Sequence, residues 1–224
     1  MTGPSDILVV AGMTREAKIL GGESVLIGGG DAAALTTKLE KALRRGAAGV
    51  VSFGLCGSLD PALKVGELVV GDAVTDGDAL YEADPAWADR IVAALPGATR
   101  GRFASAERPV GSVADKATLR AETGAIAVDL ESFAVAKLAR WFGVPFAIVR
   151  AVSDDADRAL PPAALVGLGQ DGRPAIGAVL GSLRARPWQI GALVRTALEA
   201  EDGFHALERA RHILGPRLGA PDIG

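Results

Sequence analysis

Phe146-Ala-Ile-Val-Arg-Ala-Val152 decides the fold. Every position but Arg150 is apolar, without the alternation of a sheet that has one wet face. Such a run suits a strand covered on both sides, as in mixed or parallel sheets flanked by helices. Working outward, similar runs occur at residues 7–11, 25–27, 50–54, 68–70 and 125–129. Helical patterns lie between them, at 32–45, 85–95, 113–123 and 131–142. The first of these sets Leu35, Leu39 and Leu43 on one face, with Asp31 to cap it and Gly46 to end it. The last turns Val135, Leu138 and Phe142 inward and stops at Gly143.

Beyond Ala151 the pattern becomes helical, with short segments at 161–168 and 174–183. A more charged tail follows at 188–200 and 204–214, and Asp202-Gly203 predicts a break between its two helices. The expected fold is α/β: a three-layer α/β/α sandwich with a mixed central sheet. A catalytic domain over 1–183 carries a C-terminal helical extension over 184–224.

Hydrophobic residues make up 49% of the 224, but aromatics only 4%, so the core is aliphatic. The formal charge of −3 argues against a nucleic-acid partner, because there is no basic excess to displace counterions. Cys56 is the lone cysteine, which suits a reducing compartment. Met1 to Asp6 carries no basic cluster ahead of an apolar run, and the longest uncharged stretch, 46–59, is too short to span a membrane. The expectation is a cytoplasmic enzyme. The two histidines, His205 and His212, sit in the tail, and no cluster has zinc-ligand spacing, so neither a metal nor histidine chemistry is expected.

Carboxylates at strand ends remain, where open α/β sheets place their ligands. Glu16 follows the first strand and the turn Gly12-Met13-Thr14, Glu131 opens a helix after 125–129, and Asp154 follows 146–152. Each taken alone has a plain reading as a helix cap.

Together with their surroundings they resemble a known superfamily. Gly12-Met-Thr-Arg-Glu16 looks like the first loop of the methylthioadenosine/S-adenosylhomocysteine nucleosidases. The segment from Ser52-Phe-Gly-Leu-Cys-Gly-Ser58 into Glu67-Leu-Val-Val70 resembles the Gly-rich loop and strand of the purine nucleoside phosphorylase and nucleosidase superfamily. Val128-Asp-Leu-Glu-Ser132 resembles its ribose-binding segment, and Val149-Arg-Ala-Val-Ser-Asp154 its base-binding segment. Thr14-Arg-Glu-Ala17, Asp84-Pro-Ala-Trp-Ala88, Arg158-Ala-Leu-Pro-Pro-Ala-Ala164 and Asp171-Gly-Arg-Pro174 are similar to the hopanoid-associated phosphorylase group within it.

The resemblance implies cleavage of the bond between ribose and a purine, and for that group removal of adenine from adenosylhopane. It implies that Asp154 protonates the base with Ser153 orienting its carboxyl, that Glu131 holds the ribose hydroxyls, and that Glu16 activates a water. Gly54, Leu55 and Leu130 complete the expected substrate-binding set. No cofactor is implied, and inorganic phosphate is the alternative to water as co-substrate, with Arg15 as its candidate ligand. Leu55 replaces a serine or threonine of many relatives, and Ser52 stands where some phosphorylases carry a phosphate-binding arginine, which weakens phosphorolysis. Residues 106–110 lack the phenylalanine that stacks on the base in the nucleosidases.

Relatives assemble, so a homo-oligomer is expected. A lipid-linked nucleoside also gives the tail a use: Arg184, Arg186, Trp188 and Arg195 flank Ile190, Leu193 and Val194, as in an interfacial helix, and the competing reading packs that helix on protein. Gly28-Gly29-Gly30 reads as a tight turn, and Cys56 as small buried filler. Two other functions compete with the adenosylhopane reading: a general nucleosidase or phosphorylase, and a nucleoside-binding protein without activity. A dinucleotide-dependent dehydrogenase fails for want of the Gly-rich fingerprint after the first strand.

Overall fold

The computed structural model describes residues 6–22, 24–29, 31–167, 169 and 171–221. Gly30 of the glycine run and Leu168 of the 161–168 segment fall outside them. The chain runs β1 (Ile7–Ala11), α1 (Thr14–Leu20), β2 (Val25–Ile27), α2 (Ala32–Leu43), β3 (Gly49–Ser58), β4 (Leu68–Thr75), β5 (Leu80–Glu82), α3 (Pro85–Ala94) and β6 (Thr99–Ser105). It continues through α4 (Val113–Thr123), β7 (Ala127–Asp129), α5 (Ser132–Phe142), β8 (Phe146–Asp154), α6 (Pro162–Leu165), α7 (Ile176–Ala185), a 3₁₀ turn at Pro187–Gln189 and α8 (Ile190–Leu214).

The strands form one mixed sheet with flanking helices, as expected. β1 lies parallel to β2 and β3, and β3 parallel to β8. β8 then pairs antiparallel with β4, β4 parallel with β6, and β6 parallel with β7. β7 returns antiparallel onto the end of β3, setting Val128 opposite Gly57. Strands β3, β8, β4, β6 and β7 therefore close a ring, which brings the carboxyl ends of β3 and β8 against β7. A register shift between Cys56 and Gly57 pairs Gly57 with Asp154 and leaves Ser153 out of the ladder, re-aiming side chains at the rim.

Local signals place the helices. Asp31 Oδ1 accepts from the Ala34 amide at 2.8 Å and starts α2, while Leu35, Leu39 and Leu43 are buried against the sheet. Gly143 adopts φ 68° and ends α5, a left-handed conformation that costs other residues more. β6, with Arg100 and Arg102 facing out of Thr99-Arg-Gly-Arg-Phe-Ala-Ser105, and the three-residue β5 carry too few apolar positions to announce themselves.

The tail corrects the sequence reading. Asp202-Gly203 does not break it; α8 runs through both residues. A Cβ on Gly203 would stand 2.7 Å from Leu55 Cδ2 and 3.3 Å from the Val152 carbonyl oxygen. The glycine thus serves close approach of the helix to β3 and β8. Phe204, Ala206, Leu207, Ala210 and Leu214 join the main core, and Trp87 Nε1 donates to the Leu218 carbonyl at 2.9 Å. The second half of the tail is core structure.

Candidate active site

A cavity of about 230 Å³ opens where β1, β3, β7 and β8 end. Glu16, Glu131 and Asp154 all line it, with Leu55, Leu130 and Ser153 from the expected set. Pro109, Val110, Val128, Leu160 and Ala164 give it an apolar side, and Thr196 and Ala200 of α8 close another wall. A larger cleft of about 680 Å³, at the far end near Tyr81, Asp84 and Arg140, contains none of these carboxylates.

Glu16 sits on the first turn of α1 with 1% of its surface exposed. Its Oε2 accepts from the Met13 amide at 2.7 Å and its Oε1 from the Leu55 amide at 2.8 Å. The capping role is therefore real, and the same carboxylate ties β3 to the start of the chain. Leu55 thus meets Glu16 through its backbone amide while lining the cavity. Gly54 lies beneath the cavity rather than on its lining; a Cβ there would stand 2.5 Å from Glu16 Oε1 and 2.8 Å from Arg150 Nη1. Burial pushes the Glu16 carboxyl above its ordinary range, opposed by Arg150 and by the amides of Leu55, Met13 and Gly12.

Glu131 precedes α5, and glycines make room for it. A Cβ on Gly12 would stand 2.7 Å from Glu131 Oε1, and one on Gly28 would stand 3.1 Å from its Cγ. Burial is the chief reason its carboxyl is raised to about 7; Arg150 opposes this, while Asp129 and Glu16 add to it. Arg150, inside β8, is the hub. Its Nη2 donates to Ser52 Oγ at 2.6 Å and to Glu131 Oε2 at 3.0 Å, its Nη1 to the Leu55 carbonyl at 3.2 Å, and its Nε lies 2.8 Å from Asp129 Oδ2. Burial opposes its charge, but Asp129, Glu131 and Glu16 more than restore it, so the guanidinium stays charged. Three carboxylates, Asp129, Glu131 and Glu16, thus surround one guanidinium at this end of the cavity.

Asp154 ends β8 and is held on both oxygens. Ser153 Oγ lies 2.9 Å from Oδ1 and 3.1 Å from the Cys56 carbonyl, and Lys116 Nζ lies 2.5 Å from Oδ2. Cys56 is buried, and burial pushes its thiol well above the ordinary range, so it stays neutral.

Sequence reasoning missed Arg150 and Lys116. Arg150 looked like an interruption in an apolar strand; an arginine inside such a run is itself the signal of a buried partner. Nothing in Val113-Ala-Asp-Lys-Ala-Thr118 marks Lys116. Arg15 turns away from the cavity: it makes a two-pronged ion pair with Glu201 of α8 at 2.6 and 2.5 Å, and its guanidinium stacks 4.0 Å from the Phe204 ring centre. Among the described residues no group of three or more His, Cys, Asp or Glu is arranged to hold a metal ion.

The ring-closed mixed sheet, with its carboxylates at the strand ends, defines a nucleoside phosphorylase-like fold. The chain belongs to the phosphorylase superfamily, whose model matches residues 7–167. Among solved structures, it is similar to a futalosine hydrolase mutant from Helicobacter pylori, with TM-score 0.64 and 18% identity over 91% of this chain and 97% of that one. A mutant methylthioadenosine nucleosidase (MTAN) of the same organism, with 5′-methylthioadenosine in its active site, matches at TM-score 0.64 and 18% identity over 92% and 97%. The Campylobacter jejuni 5′-methylthioadenosine/S-adenosylhomocysteine nucleosidase matches at 0.62 and 17% over 92% and 99%.

Proposed function

We propose that this protein cleaves the C1′–N9 bond of an adenine nucleoside. The observation that carries the reading is the convergence of Glu16, Glu131 and Asp154 on one cavity. Breaking the bond develops positive charge on the ribose ring and negative charge on the purine. A protonated Asp154 donates to N7, so the base leaves neutral. Glu131 accepts the 2′ and 3′ hydroxyls, and the carboxylate cluster around it stabilises the ribosyl cation in a water-poor site. Val110, Val128, Leu130 and Leu160 offer apolar contact to the purine faces.

Water is the nucleophile in this reading, and no cofactor takes part. Glu16 repels an anionic phosphate, Arg15 is occupied by Glu201, and the guanidinium of Arg150 is taken up by its own neighbours. We infer adenosylhopane as the substrate, which places the enzyme in the cytoplasm and at the inner membrane surface. Supporting this, Ile176, Leu180, Ile190, Val194 and Leu198 are exposed on α7 and the first half of α8, with Trp188 78% exposed between them. Residues 172–198 contain no Asp or Glu, and Arg184, Arg186 and Arg195 have no ion-pair partner among the described residues. A basic, apolar face of this kind suits an anionic lipid surface. A second copy docked there by a two-fold axis would set arginines against arginines. Exposed Trp141, 82% accessible on α5, is a better candidate for the homo-oligomer contact.

Adenine release, followed chromatographically with and without phosphate, tests the chemistry. Free ribose as co-product is expected; ribose 1-phosphate would overturn the hydrolytic reading, and no adenine from any nucleoside would overturn the whole. Co-sedimentation with anionic vesicles tests the surface: a Leu180→Ser/Trp188→Ser/Val194→Ser variant is expected to lose binding, and equal binding by both proteins would remove the membrane contact.

A further inference from the structure

Lys116 has no place in the chemistry described so far, yet it is one of the most deeply buried charged groups in the protein, 1% exposed on α4. Its ammonium has three hydrogens and three acceptors: Asp154 Oδ2 at 2.5 Å, the Asp155 carbonyl at 2.5 Å and the Arg158 carbonyl at 3.4 Å. A buried cation is costly unless it is fully paired in this way. It does not line the cavity, and the one cavity side chain it bonds is Asp154. The other oxygen of that carboxyl meets Ser153, whose single hydroxyl hydrogen has two takers, Asp154 Oδ1 and the Cys56 carbonyl.

We propose that Lys116 is a positioning residue for purine protonation, fixing the Asp154 carboxyl by its Oδ2 so that Oδ1 is presented to the base. This rests on the reading of Asp154 as general acid. Before the step, Oδ1 carries the proton and Ser153 donates to the Cys56 carbonyl. In the step, the proton moves from Oδ1 to N7, and the electron pair of the C1′–N9 bond goes to the purine. Water adds to C1′ and loses a proton to Glu16, and Asp154 is left as a carboxylate. Ser153 then turns its hydroxyl to Oδ1, while Oδ2 stays on the ammonium. Asp154 regains a proton from solvent and Glu16 releases one, so the cycle balances. Lys116 holds Oδ2 at 2.5 Å throughout, so the carboxyl cannot turn and Oδ1 is the oxygen left to meet N7.

The test compares two leaving groups in the full-length protein. An adenine nucleoside needs a proton to depart; 4-nitrophenyl β-D-ribofuranoside does not, because its phenolate leaves as an anion. For Lys116→Met, kcat on the adenine nucleoside is expected to fall roughly 10- to 100-fold, within the range of general-acid effects. KM should stay within about threefold, and nitrophenyl riboside turnover likewise, because binding and ribose stabilisation are untouched. In an Asp154→Asn background, Lys116→Met should add nothing further, and the Met–Asn pair leaves no buried charge unpaired if Lys116→Met alone folds poorly. Equal losses on both substrates, or a further full loss in the Asp154→Asn background, would reduce Lys116 to a structural residue. Undiminished adenine release would remove it from the mechanism. A wild-type protein that cleaves neither substrate would instead count against the nucleosidase reading.

Discussion

Replacing Glu131 with glutamine should make the protein more stable above neutral pH and much less active. The ordinary value of this carboxyl is 4.5, and in the folded protein it is about 7. The folded state therefore keeps a proton that the unfolded chain has already lost, and stability falls with rising pH across that window. The favourable contribution is fully present below 4.5 and gone above about 7, where the buried anion is a standing cost. From 4.5 to about 7, at 1.36 kcal/mol for each pH unit, the difference is on the order of 3 kcal/mol. Glutamine keeps an acceptor for Arg150 Nη2 but forfeits its ion pair with Glu131, so part of the gain is cancelled. Thermal unfolding at pH 8.5 should show a midpoint raised by roughly 2–6 °C for a chain of this size, and the gain should vanish by pH 5.5, where wild-type Glu131 is protonated. Adenine release should fall by about 10²–10³ in kcat/KM, from two charge-assisted bonds to the ribose hydroxyls made neutral. In the wild type, kcat/KM should rise with pH through about 7 as Glu131 ionises. A lower midpoint at pH 8.5, or near-normal activity, would refute this reasoning.

Asp154→Asn should lower kcat on an adenine nucleoside by about 10²–10⁴, the span of general-acid catalysis, and unchanged turnover in a stopped chromatographic assay would remove Asp154 as the acid. Arg150→Met leaves Asp129, Glu131 and Glu16 facing each other without a cation, and urea unfolding should show a loss of about 3–5 kcal/mol. Gly203→Ala should gain roughly 1 kcal/mol in helix propensity but lose more by collision with Leu55 and the Val152 carbonyl, where overpacking costs about 1–3 kcal/mol. A net gain in its urea midpoint would mean that α8 stands further from β8 than described.

The sequence was most readable where one pattern governed a whole element. Residues 7–11 and 25–27 were apolar at nearly every position and became β1 and β2 with those limits. Reading failed where one residue type serves two ends. Gly203 looked like a helix stop, and only its approach to Leu55 and Val152 reveals why glycine is needed inside α8. The short helix α1 hid behind the turn at Gly12-Met13, and β6 behind its outward arginines. Glu16, Glu131 and Asp154 could be picked out because each follows a strand, which is where a sheet presents its ligands. Arg150 and Lys116 were not, because their meaning lies in partners far along the chain: Arg150 is 21 residues past Asp129, and Lys116 reaches Asp154 across 38. The tail divided in the same way. Its second half carries core residues, while the stripe through Ile190 and Val194 stays exposed.

A crystal structure with adenine and a ribose mimic bound measures the central claim most directly. N7 should lie within hydrogen-bond distance of Asp154, both vicinal hydroxyls on Glu131, and a water between Glu16 and C1′. Adenine seated in the cleft near Tyr81 and Arg140, or with N7 turned from Asp154, would contradict the account.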